Sequence, residues 1–187
     1  LKVIQLHKNT KELITKAAKD NREAQHVLYE IHAPKMLSVC RYYIKDVQDA
    51  EEVMLNGFFK AFTNITSFKN EGSFEGWLRR IMVREAISFL RKRKPLEFPT
   101  EEESMPQEHV YSTTSGLEVN DIQQLIDELP EGYRMVFVMY AIEGYKHHEI
   151  AKELEISEGT SKSQLFKARQ MLQEKLNRLN NTSYGAN

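Results

Sequence analysis

The stretch "EISEGTSKSQLFKAR", residues 155–169, places hydroxyls, an amide and lysines on the opening turns of what reads as a helix. Ser157, followed by Glu158, Gly159 and Thr160, is a helix-start signal. Just upstream, "HHEIAKELE" reads as a shorter helix. A helix of about eight residues, a turn of about three and a longer second helix have helix-turn-helix proportions. Ile150, Ala151 and Leu154 would face inward and Ile156 would plug the turn. At about 100° per residue, Leu165, Ala168 and Leu172 share one face of the second helix. The opposite side then carries Lys162, Ser163, Phe166, Lys167 and Gln170, with Thr160 and Gln164 at its margin. Lysines neutralise phosphates, and Gln and Ser can read base edges in a major groove. The same spacing also fits an amphipathic helix pair with a solvated face, and Glu149, Glu153 and Glu155 would repel phosphate.

A second group lies in "FEGWLRRIMVREAISFLRKRK" (74–94), where Arg80, Arg84 and Arg91 project within about 40° of one another on a helix. Such a row is either a solvated charged face or a track for phosphates. The neighbouring "FKNEGSF" loop and Trp77 set aromatics beside these cations, a combination suited to unstacked bases. In "DAEEVMLNGFFKAF" (49–62), Ala50, Val53, Met54, Gly57, Phe58 and Ala61 form one stripe. Phe59 falls about 160° and Leu55 about 120° from that stripe, on the side of Glu51 and Glu52. Two large apolar groups facing outward suggest a protein partner, unless another helix of the same domain covers them.

Enzyme chemistry finds little footing. The six histidines (His7, His26, His32, His109, His147 and His148) make no metal-ligand pairing, and no glycine-rich phosphate loop is present. Adjacent on a helix, His147 and His148 point about 100° apart, which suits phosphate or solvent better than ligation. Neither metal nor cofactor is expected. Cys40, the single cysteine, excludes an internal disulfide, and beside Leu37, Val39 and Tyr43 it reads as a buried thiol. With no run of about 18 apolar residues and no apolar leader, a soluble cytoplasmic protein without membrane insertion is expected.

These groups must be positioned by helices. Helical periodicity runs from Thr10 to Lys94. Asn21 is expected to cap a helix ending near Ala33, and Pro34 to start another ending near Ile44. The polar "TSFKNEGS" (66–73), with Gly72, separates 49–62 from 74–94. Further helices are expected over 117–129, 130–142 (closed by Gly144), 146–154 and 157–179. No β-alternation appears. Charge is segregated: among 26 basic and 27 acidic residues, 69–94 carries 8 basic and 3 acidic, whereas 95–121 carries no basic and 7 acidic. The reading is all-α: two small helical domains, 1–94 and 117–187, joined by a flexible acidic linker over 95–116.

In these motifs and their order the chain resembles an extracytoplasmic-function (ECF) sigma factor of the sigma-70 family. "DAEEVMLNGFFKAF" resembles a region 2 helix of that family, and "SFEGWLRRIMVREAISFLRKRK" its W-L-x-x-I segment ending in a basic run. "LPEGYRMVFVMYAIEGYKHHEIAKELEISEGTSKSQLFKARQMLQEKL" (129–176) resembles region 4 almost throughout. The resemblance implies a non-catalytic factor that binds bacterial core RNA polymerase, directs it to promoter DNA and helps open the duplex. It implies docking of Asp49, Glu51, Glu52, Leu55, Asn56 and Phe59 on the β′ clamp helices, and of region 4 on the β flap. The −10 element, as single strand with a flipped base, would meet Phe68, Lys69, Asn70, Ser73, Phe74, Trp77, Arg80, Arg84 and Arg91. The −35 duplex would meet Thr160, Ser161, Lys162, Ser163, Gln164, Phe166 and Lys167. The linker would thread toward the polymerase channels, and an anti-sigma factor or other recruiting partner is implied.

The chain departs from the family pattern at Arg84 (commonly Asn), Ser88 (commonly Asp), Leu55 (frequently Gln), Ser161 (frequently Val) and Gln164 (frequently Arg). Those departures raise the expectation of less stringent promoter readout. A stand-alone helix-turn-helix regulator is the rival reading, but it leaves the 49–94 surface idle.

Overall fold

The computed structural model describes residues 2–93, 96–98 and 119–184, with side chains over 10–93, 96–98 and 122–178. The chain divides into two compact units, Leu1–Arg93 and Lys94–Asn187. All regular structure among the described residues is helical. Apart from residues 96–98, the expected linker lies outside the described residues.

The first unit holds α1 (Lys2–Ala17), α2 (Arg22–Tyr43), α3 (Val47–Thr63) and α4 (Phe74–Arg93). Caps set the helix starts. Asn21 Oδ1 accepts from the Ala24 N–H at 2.8 Å, and Asp46 Oδ1 from the Asp49 N–H at 3.0 Å. The predicted α3 stripe is the buried face: Ala50, Val53, Met54, Gly57, Phe58 and Ala61. It packs on α2 and α4 around Leu28, Met36, Val39, Cys40, Leu78, Met82 and Ile87. α3 lies against α4 at Gly57, where a Cβ would overlap the Met82 sulfur.

The expected break at Pro34 is corrected. α2 runs unbroken through it, although an interior proline costs about 3 kcal/mol through the lost N–H and a ring clash. Residues on both sides (Leu28, His32, Met36, Val39, Cys40) are buried on one helix face, and keeping them there outweighs the local cost.

The second unit holds α5 (Val119–Asp127), α6 (Glu131–Phe137), α7 (His147–Leu154) and α8 (Glu158–Tyr184). The helix expected over 130–142 changes character midway, and Val138–Ile142 winds as a π-helix. Glu143 N–H reaches back five residues to the Val138 carbonyl at 3.0 Å. Gly144 then takes φ +75°, the left-handed position that ends the helix, as expected. The core joins Leu125, Ile126, Leu129, Met135, Val136, Met139, Ile150, Leu154, Leu165 and Ala168.

Candidate nucleic-acid and partner-binding surfaces

Between α3 and α4 the chain makes a single 3-10 turn, Ile65–Ser67, and then a loop shaped by two left-handed residues, Asn70 (φ +59°) and Gly72 (φ +104°). Ser73 closes it by accepting the Gly76 N–H at 3.0 Å, which starts α4. Loop and helix enclose an open cavity of about 310 Å³, bordered by Phe68, Lys69, Glu71, Ser73, Trp77 and Arg80. Phe68, Phe74 and Trp77 pack mutually, with ring centres 5.4–5.5 Å apart. Phe68 and Trp77 are half-buried, so both keep surface toward the cavity.

Phe74 requires a correction. It is only 6% exposed and supports the other two rings from beneath, so it is core and not a contact. Behind it lies His32, ring centres 5.5 Å apart. Burial, opposed by Glu75 and reinforced by Lys35, holds the His32 imidazole below its usual pKa. Glu75 itself pairs with Lys35 at 2.5 Å, linking α2 to the start of α4. Glu71, absent from the predicted set, borders the cavity. Arg80 stands at the cavity edge. Arg84 and Arg91 follow at ~6 Å and ~16 Å along the same side of α4. Asn70 is exposed.

On α3, Leu55 is 54% and Phe59 72% exposed, so no helix of the unit covers them. Glu51, Glu52 and Asn56 are exposed beside them. Val47, half exposed at 50%, extends the row by two turns, and the four-residue spacing Val47–Glu51–Leu55–Phe59 was the available signal for it. Asp49 is half-buried, and its carboxylate is held by both terminal nitrogens of Arg93, at 2.5 and 2.9 Å, so it braces α3 against α4.

The helix-turn-helix forms as expected. α7 ends at Glu155 in the left-handed conformation (φ 58°), and Ser157 Oγ caps α8 by accepting the Thr160 N–H at 2.9 Å. Two predicted base readers are corrected. Ser161 is wholly buried and Gln164 is 1% exposed. Ser161 Oγ lies 2.9 Å from His147 Nδ1, and Gln164 packs against Gly132 of α6. Both therefore join helices of the unit and cannot reach a groove without leaving the core. Lys162 is exposed, while Thr160, Ser163, Phe166 and Lys167 are half-buried. The Ser163 hydroxyl donates to the Thr160 carbonyl at 3.0 Å.

Around them stand Tyr140 and Arg169, absent from the expected contacts, and His147, expected to meet phosphate or solvent. His147 stacks on Tyr140 at 4.7 Å, and the Arg169 guanidinium lies 5.6 Å from the Tyr140 ring centre. Burial, then Lys162 and Arg169 against Glu158, lower the His147 pKa. Only the tertiary fold brings these three together.

A four-helix unit with an aromatic-walled cavity, followed by a helix-turn-helix unit, defines a two-part nucleic-acid-binding protein. Residues 28–95 match the family described as Sigma-70 region 2, and residues 120–172 match Sigma-70, region 4. The chain is 30% identical over 182 residues to the ECF RNA polymerase sigma factor SigW of Bacillus subtilis, covering 89% of this chain and 96% of that one. The ECF RNA polymerase sigma-E factor of Escherichia coli is 24% identical over 177 residues, 88% of this chain and 92% of that one. In fold the chain is similar to CnrH, solved in complex with the cytosolic domain of CnrY (TM-score 0.52, 23% identity, 89% and 96% of the two chains). It is also similar to RpoE of Bartonella quintana, solved with the anti-sigma factor NepR (TM-score 0.54, 21% identity, 81% and 96%). This chain belongs to the ECF sigma factors of the sigma-70 family, and is a polymerase-binding transcription initiation factor.

Proposed function

We propose that this sigma factor works through three surfaces, none of which needs covalent chemistry. The outward α3 row centred on Leu55 and Phe59 docks on the clamp helices of core RNA polymerase, with Glu51, Glu52 and Asn56 at its rim. The cavity over Phe68 and Trp77 takes an unpaired base of the −10 element, for which stacking on an aromatic contributes ~1–3 kcal/mol. Arg80, Arg84 and Arg91 carry the adjoining phosphates. The second unit lays α8 in the −35 duplex, with Lys162 and Lys167 on phosphates and Ser163 and Phe166 toward the bases. Capture of an unpaired base on one unit while the other holds duplex favours the opened promoter.

The observation that carries this reading is the 72% exposure of Phe59 beside exposed Leu55, since a stand-alone duplex-binding regulator has no use for that row. The protein then acts in the cytoplasm with its polymerase. The similar CnrH and RpoE were each solved with a partner chain, a cytosolic domain in one case and an anti-sigma factor in the other. A cytosolic anti-sigma segment is accordingly the partner expected to hold this factor inactive. Pull-down with purified core polymerase tests the reading. Retention by core and promoter-dependent transcripts support it; duplex binding with no retention favours the stand-alone regulator.

A further inference from the structure

The cluster at the start of the helix-turn-helix has a geometry that promoter reading alone does not account for. His147 has a fixed place, with its ring stacked on Tyr140 and Nδ1 tied to Ser161. Ser161, on the Nδ1 side, is buried, while His147 itself is half-exposed. The groups facing the ring are known from each packed element. Tyr140 comes from the π-helix, and Ser161, Glu158, Lys162 and Arg169 from α8. Lys146, the cap of α7, and His148 and Glu149 within it flank the ring in sequence, and Glu149 already accepts the Lys146 N–H at 2.8 Å. Burial, reinforced by Lys162 and Arg169 and opposed by Glu158, favours a neutral imidazole there in the absence of DNA.

We propose that His147 is a proton-linked phosphate contact: the ring held by Ser161 and Tyr140 meets a backbone phosphate of the duplex beside Lys162, and binding takes up one proton on the imidazole. The inference rests on the duplex-binding reading of the second unit. A phosphate brought to the ring favours the imidazolium over the neutral form, so the ring titrates higher in the complex than in the free protein. The sign follows directly. Above the bound-state pKa both forms are neutral and the contact contributes little. As pH falls through that value the bound ring charges first, and affinity rises until the free ring charges as well. The gain is about tenfold for each unit by which the phosphate raises the pKa. Being a phosphate contact, it is the same for any sequence.

The experiment uses the full chain and a short duplex of mixed sequence, with affinity measured by fluorescence anisotropy between about pH 6 and pH 8, the window histidine spans. Imidazole resonances are titrated by NMR with and without duplex. Tighter binding at the acid end, an upward shift of the His147 titration on adding duplex, and loss of both in His147→Gln but not His148→Gln are expected. Binding that is independent of pH, or a pH dependence that survives His147→Gln, overturns the proposal while leaving duplex binding by this unit intact. Absence of binding at every pH overturns both. If His147→Gln does not fold, the NMR titration of the wild-type chain decides alone: an unshifted His147 refutes the contact.

Discussion

Arg93, in the last turn of α4, closes on Asp49, in the first turn of α3, through two N–H···O bonds of 2.5 and 2.9 Å. The brace joins the two helices that carry the basic row and the apolar row. Because Arg93 is well exposed, its contribution is modest, about 0.5–1 kcal/mol for a bidentate pair of this kind. Asp49→Ala should lower the stability of the first unit by that amount in urea unfolding. Exchanging the charges, Asp49→Arg with Arg93→Asp, should restore part of it; no recovery would show that the pair is not coupled.

Leu55→Glu with Phe59→Glu should abolish retention by core polymerase with helicity and unfolding midpoint unchanged, since neither side chain contributes to the core. Loss of circular-dichroism signal, with binding lost only as a consequence, would mean that the row is structural.

Trp77→Ala should leave duplex binding intact and impair promoter opening, at a cost of about 1–3 kcal/mol for one lost stacking partner. Permanganate reactivity of unpaired thymines reads the opening. Reactivity equal to the wild type would remove Trp77 from the base-capturing set.

Lys162→Ala and Lys167→Ala should weaken binding evenly across sequences, each flattening the log–log salt slope by about 0.9 if it neutralises one phosphate. Gln164→Ala should behave differently. As a buried side chain it should destabilise the second unit by about 1–3 kcal/mol without changing base preference. A scan of promoter variants with a preference altered at one base pair would restore Gln164 as a reader.

His32 gives the first unit a pH-dependent stability. Its folded-state pKa lies below the ordinary value, so the unfolded chain binds the extra proton first. Stability is full above about 6.5, the ordinary value, and is lost as pH falls from there toward the folded-state pKa. His32→Leu should flatten that acid limb of the unfolding midpoint.

The helices were legible where periodicity and caps agreed, as with the α3 stripe and Asn21. Pro34 was not, because a local rule met a longer buried face that crosses it. Ser161 illustrates a different failure. Its position lies within about 40° of Leu165, Ala168 and Leu172, so geometry alone placed it in the core. The resemblance assigned it to the duplex, and only the partner on α7 explains how a polar group is satisfied in the core. Phe74 was misassigned because an aromatic next to a loop can either line a cavity or support it. His147, Tyr140 and Arg169 come from separate segments, and nothing short of the fold unites them.

The close crossing at Gly57 also constrains how this lineage can vary. Met82 is fully buried and its thioether occupies the space a Cβ on Gly57 would need. The two positions are coupled: a larger residue in place of Gly57 displaces the end of the flexible Met82 side chain or calls for a shorter one there, and a shorter residue replacing Met82 alone opens a void between α3 and α4. The two positions amount to one inherited choice. In an alignment of close relatives they should covary, with alanine in place of Gly57 enriched beside a smaller or differently shaped partner in place of Met82.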